Sequence, residues 1–195
     1  ADVFAAQLAD LSADYDVIAV DPRGHGGSTK PLTGNSFPQR GRDLDALLTA
    51  LDLTDVVLAG WSFGTLDALS YLDQFGSDRV SALILIDEPP HVVNDPHNPS
   101  EWGEASLSHD GLPAFIQFLS TARDDFWAFI ATHALGRETD AADSDPVARD
   151  LIALGNQTPE HIAIITGVEG LSADYSGAAI AFNNTGKPLL FLARD

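Results

Sequence analysis

The run DVVLAGWSFGTLDALSYLDQF, residues 55–75, decides how the rest of the chain is read. Residues 55–59 form an apolar stretch of strand length bounded by Gly60, and residues 63–75 carry Leu66, Leu69 and Leu72 at helical spacing. Between them Gly60, Trp61, Ser62, Phe63 and Gly64 spell GxSxG. Three fixed positions mean little alone; a strand before and a helix after give the motif its meaning. A serine on so tight a strand-to-helix turn takes a strained backbone, and side chains at the two glycine positions are expected to crowd it. Its hydroxyl then protrudes as a nucleophile. The helix start also aims the Phe63 N–H at the reacting carbonyl, an oxyanion contact of the kind worth about 3–4 kcal/mol. The competing reading makes Ser62 a plain helix N-cap.

Outward from this turn, strand and helix alternate. Residues 80–86 (VSALILI) read as the next buried strand, stopped by Asp87, Glu88, Pro89 and Pro90. Upstream, residues 38–51 place Leu44, Leu47, Leu48 and Leu51 on one helical face, residues 15–20 read as a short buried strand, and residues 2–11 as a helix through Phe4, Leu8 and Leu11. The alternation predicts an α/β fold with a parallel, doubly wound sheet covered by helices on both faces. From His91 to about residue 184, helices follow one another without intervening strands. Ser144 or Asp145 before Pro146, with Gly155 after, brackets one helix; Thr158 before Pro159, with Gly167 beyond, brackets another. Residues 188–193 (PLLFLA) return to a buried strand. The expected organisation is therefore a core over 1–90, a helical cap insertion over 91–184 and a return to the sheet over 185–195.

Composition narrows the function. The chain of 195 residues has ten Lys and Arg against 29 Asp and Glu, a formal charge of −19, which argues against nucleic acid as a partner because phosphates are held by basic patches. The acids are mostly Asp and the only lysines are Lys30 and Lys187, a bias suited to high salt or strong solubility. No apolar run approaches the roughly 18 residues of a membrane span, and the start lacks a signal peptide pattern, so a cytoplasmic location is expected. With no cysteine, disulfides and thiolate metal sites are excluded. Neither a metal nor an organic cofactor is implied. Because the chain lacks Met and opens at Ala1 in a helical pattern, it is expected to begin within a longer protein.

The loop DPRGHGGS, residues 21–28, together with GxSxG and the order of elements between and after them, resembles the α/β-hydrolase superfamily over nearly the whole chain. Its serine-nucleophile esterase, lactonase and perhydrolase or haloperoxidase-like branch is the most similar. The resemblance implies an α/β-hydrolase sheet with a helical cap, incomplete at the N- and C-terminal ends, and a small ester, lactone or related acyl substrate cleaved through an acyl-enzyme on Ser62. The same triad serves perhydrolysis or halogenation, and a non-catalytic binding protein or inactive fragment is the rival outside enzymes. The family's order of Ser, acid and His implies Asp195 as the acid and a histidine beyond it; Asp87 and Glu88 are the alternative acids. His25 is implied to organise its loop. Among the other histidines, His91 is the best placed to serve as base, since it follows the strand next to the elbow. A chain without the triad histidine is expected to be nearly inactive. Trp102, Phe115, Phe118, Phe126, Trp127 and Phe129 line either an acyl pocket or the core of the cap.

Overall fold

Ser36 opens the first long helix by accepting the Gln39 N–H on its hydroxyl, with Pro38 in the first turn, and this helix, α2, runs Phe37–Ala50 after a short α1 at Ala5–Leu11. The computed structural model describes residues 1–94, 107–134 and 145–193. Strand β1 (Val56–Trp61), helix α3 (Gly64–Phe75) and strand β2 (Val80–Ile86) follow. Beyond them come two-residue strands β3 (Val93–Asn94) and β4 (Leu107–Ser108), then α4 (Leu112–Thr121), α5 (Arg123–Ala134), α6 (Pro146–Asn156), α7 (Glu160–Ser172), α8 (Ser176–Asn183) and β5 (Leu189–Leu192).

By its internal contacts the chain divides into two units, residues 1–33 with 117–164, and residues 34–116 with 165–195. The second holds a parallel sheet in the order β1-β2-β5. The middle strand is the one whose sequence is almost wholly apolar, as a parallel strand covered on both faces requires; Val80, Leu83 and Leu85 are at most 1% exposed. Against it pack Leu69, Tyr71 and Leu72 of α3 and Ala178, Ala179 and Phe182 of α8. A second cluster gathers Phe37, Leu66, Val92, Val93 and Leu171, with Phe63 and Phe115 against it. The parallel α/β architecture expected from the alternation is present.

Four local expectations are corrected. Residues 15–20 join no ladder among the described residues: Ile18 and Val20 are about half exposed, and a β-prone composition without a partner to bond makes no strand. Residues 91–184 are not free of strand, since β3 and β4 pair in parallel and His91 bridges Asp174. Gly155 does not end α6, which runs one residue past it; a Cβ there would lie 2.5 Å from the Trp127 ring, so the glycine seats an indole. Gly167 does not end α7 either, because burial of Thr166 and Leu171 around it carries the helix on to Ser172 and overrides local propensity. Asp145 caps α6 as expected, accepting the Val147 N–H at 2.8 Å, and Ser144 lies outside the described residues.

In the first unit, loop 21–30 is tied by its own backbone. Gly24 donates to the Thr29 carbonyl at 2.8 Å and Gly27 to the Asp21 carboxylate at 2.8 Å. The aromatic side chains of α4 and α5 meet each other there: Phe118 lies edge-on to Phe126 at 5.6 Å and to Phe129 at 6.1 Å, and Phe126 to Trp127 at 5.2 Å.

Candidate active site

Parallel strands end together, and here the carboxyl ends of β1 and β2 stand side by side because Trp61 is in register with Ile86. Open α/β sheets bind their ligands outside this edge. Ser62 is the first residue past β1 and Asp87 the first past β2, and both have left-handed backbones, φ +51° and +75°. Neither is glycine, so both conformations are strained and persist because the sheet fixes them. The Ser62 N–H donates to the Ile86 carbonyl at 2.9 Å and the Asp87 N–H to the Leu192 carbonyl of β5 at 2.7 Å.

Past Ser62 the chain turns at once into α3. The Thr65 N–H donates to the Ser62 carbonyl at 2.8 Å, and Phe63, the helix N-cap residue, already has helical angles, φ −57° and ψ −16°. Ser62 is thus neither enclosed in the core nor midway along a regular element; it is partly exposed on a sharp bend. The two glycines beside it differ. A Cβ on Gly60 would lie 2.4 Å from the Gly64 carbonyl oxygen and 2.6 Å from the Thr65 nitrogen, whereas one on Gly64 would meet nothing within 4 Å. The expectation that both positions are crowded is corrected: the approach of α3 to the end of β1 excludes a side chain only at Gly60.

Glu88 is carried to Ser62 by the bend at Asp87. The Ser62 hydroxyl donates to Glu88 Oε2 at 3.3 Å, long for an O–H···O bond but within the looser range of unliganded sites. Burial pushes the Glu88 carboxyl up to about 7, the negative charge of Asp87 adds to the rise, and the Ser62 hydrogen bond opposes it. Asp87 itself is exposed. His91 pairs elsewhere: its Nδ1 is 4.0 Å from Asp174 Oδ2, and the two backbones form an antiparallel bridge. His25 lies in the first unit with Nδ1 3.1 Å from the Arg23 carbonyl. Asp195 and Trp102 lie outside the described residues.

Behind the elbow stands a constellation that the sequence patterns did not single out. Arg40 of α2, 5% exposed, reaches Asp67 of α3 at 3.5 Å and the Thr166 hydroxyl at 3.0 Å, and its guanidinium lies 5.2 Å from the centre of the Phe37 ring. Burial raises the Asp67 carboxyl to about 6 against the pull of Arg40. The Phe63 ring stands edge-on to Phe37 at 5.8 Å, and Gly170 of α7 lies against it. The hint of this in the sequence was an acid, Asp67, in the first turn of a helix. Among the described residues no cluster of His, Cys, Asp or Glu forms a metal site, and no helix is long and apolar enough to cross a membrane.

Comparison with known proteins agrees with this architecture. The family model for the alpha/beta hydrolase fold matches residues 1–114. A putative non-heme chloroperoxidase of Synechocystis sp. is 40% identical over 90 residues, 46% of this chain and 33% of that protein. A non-heme chloroperoxidase of Kitasatospora aureofaciens is 36% identical over 133 residues, 65% of this chain and 45% of that protein. The chain therefore spans a third to under half of the length of these curated relatives. Among solved structures, an esterase from Exiguobacterium antarcticum superposes with a TM-score of 0.78 at 25% identity, covering 91% of this chain and 63% of the esterase.

Proposed function

Because this chain belongs to the alpha/beta hydrolase fold family, its relatives being enzymes of that fold, we propose that it carries the nucleophile of a serine hydrolase acting on a small ester, lactone or related acyl compound. The observation that carries this is the strained, partly exposed Ser62 at the carboxyl edge of a parallel sheet, with the amino end of α3 immediately behind it. In the proposed reaction the Ser62 hydroxyl attacks the acyl carbonyl, the Phe63 N–H stabilises the oxyanion of the tetrahedral intermediate, and collapse of that intermediate expels the alcohol and leaves an acyl-enzyme on Ser62. Phe63 and Phe115, which share one apolar cluster, line the acyl side. The mutual packing of Phe118, Phe126, Trp127 and Phe129 supports a core role for those rings within the helical segment proposed as the cap. Asp195, just past β5 in the sequence, is the proposed triad acid.

The chloroperoxidase names of two relatives favour a second reading, in which hydrogen peroxide replaces water as acyl acceptor at the same serine. Acceptor competition separates the two: with a p-nitrophenyl ester, perhydrolysis diverts acyl groups to peracid as peroxide is added and, where deacylation limits turnover, raises p-nitrophenol release with it. For the shared premise the test is a burst of p-nitrophenol from this chain, followed by mass spectrometry of the acylated peptide. One acyl group on Ser62, slow turnover afterwards and loss of both in Ser62→Ala are expected; a burst that survives the substitution removes Ser62 from the reaction, whereas no burst from the unaltered chain leaves a binding protein or inactive fragment as the better description.

A further inference from the structure

We propose that Arg40 is a positioning residue for the elbow: its guanidinium, held between Asp67 of α3 and Thr166 of α7 and laid over Phe37 of α2, keeps the first turn of α3 and the Phe63 N–H in place. This rests on Ser62 being the nucleophile. All of these residues lie within residues 34–116 and 165–195, the unit that holds the sheet. Two routes lead from the guanidinium to Phe63. In one, Nη1 is 3.5 Å from Asp67 Oδ1, and the Asp67 N–H donates to the Phe63 carbonyl at 3.3 Å in the opening turn of the helix. In the other, the guanidinium carbon is 5.2 Å from the centre of the Phe37 ring, which meets the Phe63 ring edge-on at 5.8 Å. Phe37 is fixed in turn, its N–H donating to Glu169 Oε2 at 3.2 Å and its carbonyl accepting the Ser70 hydroxyl at 2.8 Å. Nη2 donates to the Thr166 hydroxyl at 3.0 Å and so ties the assembly to α7.

A guanidinium suits this task because its donors are set in a rigid planar fork, so the direction to Thr166 fixes the direction to Asp67. Arg40 is 5% exposed, and burying its charge is costly; a core that needed only filling is served as well by an apolar side chain of similar length. What the charge adds is electrostatic. Asp67 stands in the first turn of α3 with its carboxyl at about 6, raised by burial, drawn down by Arg40 and pushed up by Asp43 of α2, so it is ionised above that pH. A bare carboxylate there puts negative charge one turn behind the N–H that faces the oxyanion and weakens the pull of the helix start. The guanidinium offsets it. Arg40 thus acts on the reaction through Asp67 and Phe63, from behind the elbow.

The experiment is nitrogen NMR relaxation on this 195-residue chain without substrate, comparing the elbow amides of Phe63, Gly64 and Thr65 with those of Leu83 and Leu85 in β2, alongside urea midpoints for overall stability. In the unaltered chain both sets should be rigid, with order parameters of about 0.85. Arg40→Met keeps the apolar stem and loses the fork; the elbow amides should fall toward about 0.6 while Leu83 and Leu85 hold their values. Thr166→Val removes one anchor at constant shape, should give a smaller change of the same pattern, and serves if Arg40→Met does not fold. A lower urea midpoint with the elbow as rigid as before overturns the inference, because an arginine that merely fills space between helices behaves in that way. Equal loosening of elbow and strand overturns it too. No ester is present, so these outcomes stand apart from the nucleophile reading, which falls if acylation survives Ser62→Ala and takes the catalytic purpose of the contact with it.

Discussion

A methyl group on Gly60 would sit 2.4 Å from the Gly64 carbonyl oxygen, a backbone atom that has no flexible arm with which to retreat. Relief requires α3 to move away from β1, and α3 supplies Leu66 and Leu69, both 0% exposed, to the core. Gly60→Ala should therefore destabilise the chain by about 3 kcal/mol, at the upper end for overpacking. Gly64→Ala, at the first residue of α3 with open space around it, should be neutral or stabilise by up to about 1 kcal/mol. Urea midpoints measure both, and equal losses at the two positions would contradict the geometry of the turn. The motif announced a turn, but it treated its two glycines alike. Which one faces backbone depends on the angle at which the helix leaves the strand, and that angle is set by packing far from the motif.

At the scale of elements the elbow is buttressed from α7 through a single ring. Gly170 lies where a Cβ would be 2.6 Å from Phe63 Cζ, and Phe63 in turn stands against Phe37 of α2. Gly170→Ala must push the ring of the residue that follows the nucleophile. A loss of about 1–2 kcal/mol in stability is expected, with a several-fold slower burst from the p-nitrophenyl ester. Gly177→Ala on α8, where a Cβ meets open space, is the matched control and should leave the burst unchanged. A burst unaltered by Gly170→Ala would show that the elbow does not depend on this contact. Such contacts also explain where the sequence was readable. Strand β2 is one bounded apolar run and helices α2 and α3 have one clear period, and all three lie at or within a residue or two of where those patterns put them. Gly155 in α6 looked like a stop because its partner, Trp127, is distant in the chain, and Gly167 in α7 looked like one because the burial of Thr166 and Leu171 that carries the helix past it is set by tertiary packing. Residues 15–20 looked like strand because composition reports β preference and carries no information on whether a neighbour is present to bond. Glu88 was legible as a carboxylate after a strand; its contact with Ser62 follows from the left-handed bend at Asp87, which no residue type there announces.

For the molecule as a whole the dominant quantity is charge. One-to-one pairing of ten basic side chains with 29 acids leaves the formal −19 uncompensated. Self-repulsion of that surplus opposes the compact state, and salt screens it: the Debye length falls from about 10 Å at 0.1 M to about 3 Å at 1 M. The buried pair Arg40 and Asp67 is shielded from that screening, so little attraction is lost in exchange. The melting temperature should accordingly rise by several degrees between 0.05 and 1 M sodium chloride. Screening follows the Debye length and saturates, so most of the rise belongs below about 0.5 M; a salting-out effect on apolar burial would instead grow steadily with concentration. Calorimetric scans across that range, repeated with potassium chloride, distinguish the two. A melting temperature that is flat or falling below 0.5 M would mean that the surplus acids are already separated widely enough not to interact, and the reading of an acidic surface adapted to salt would fail.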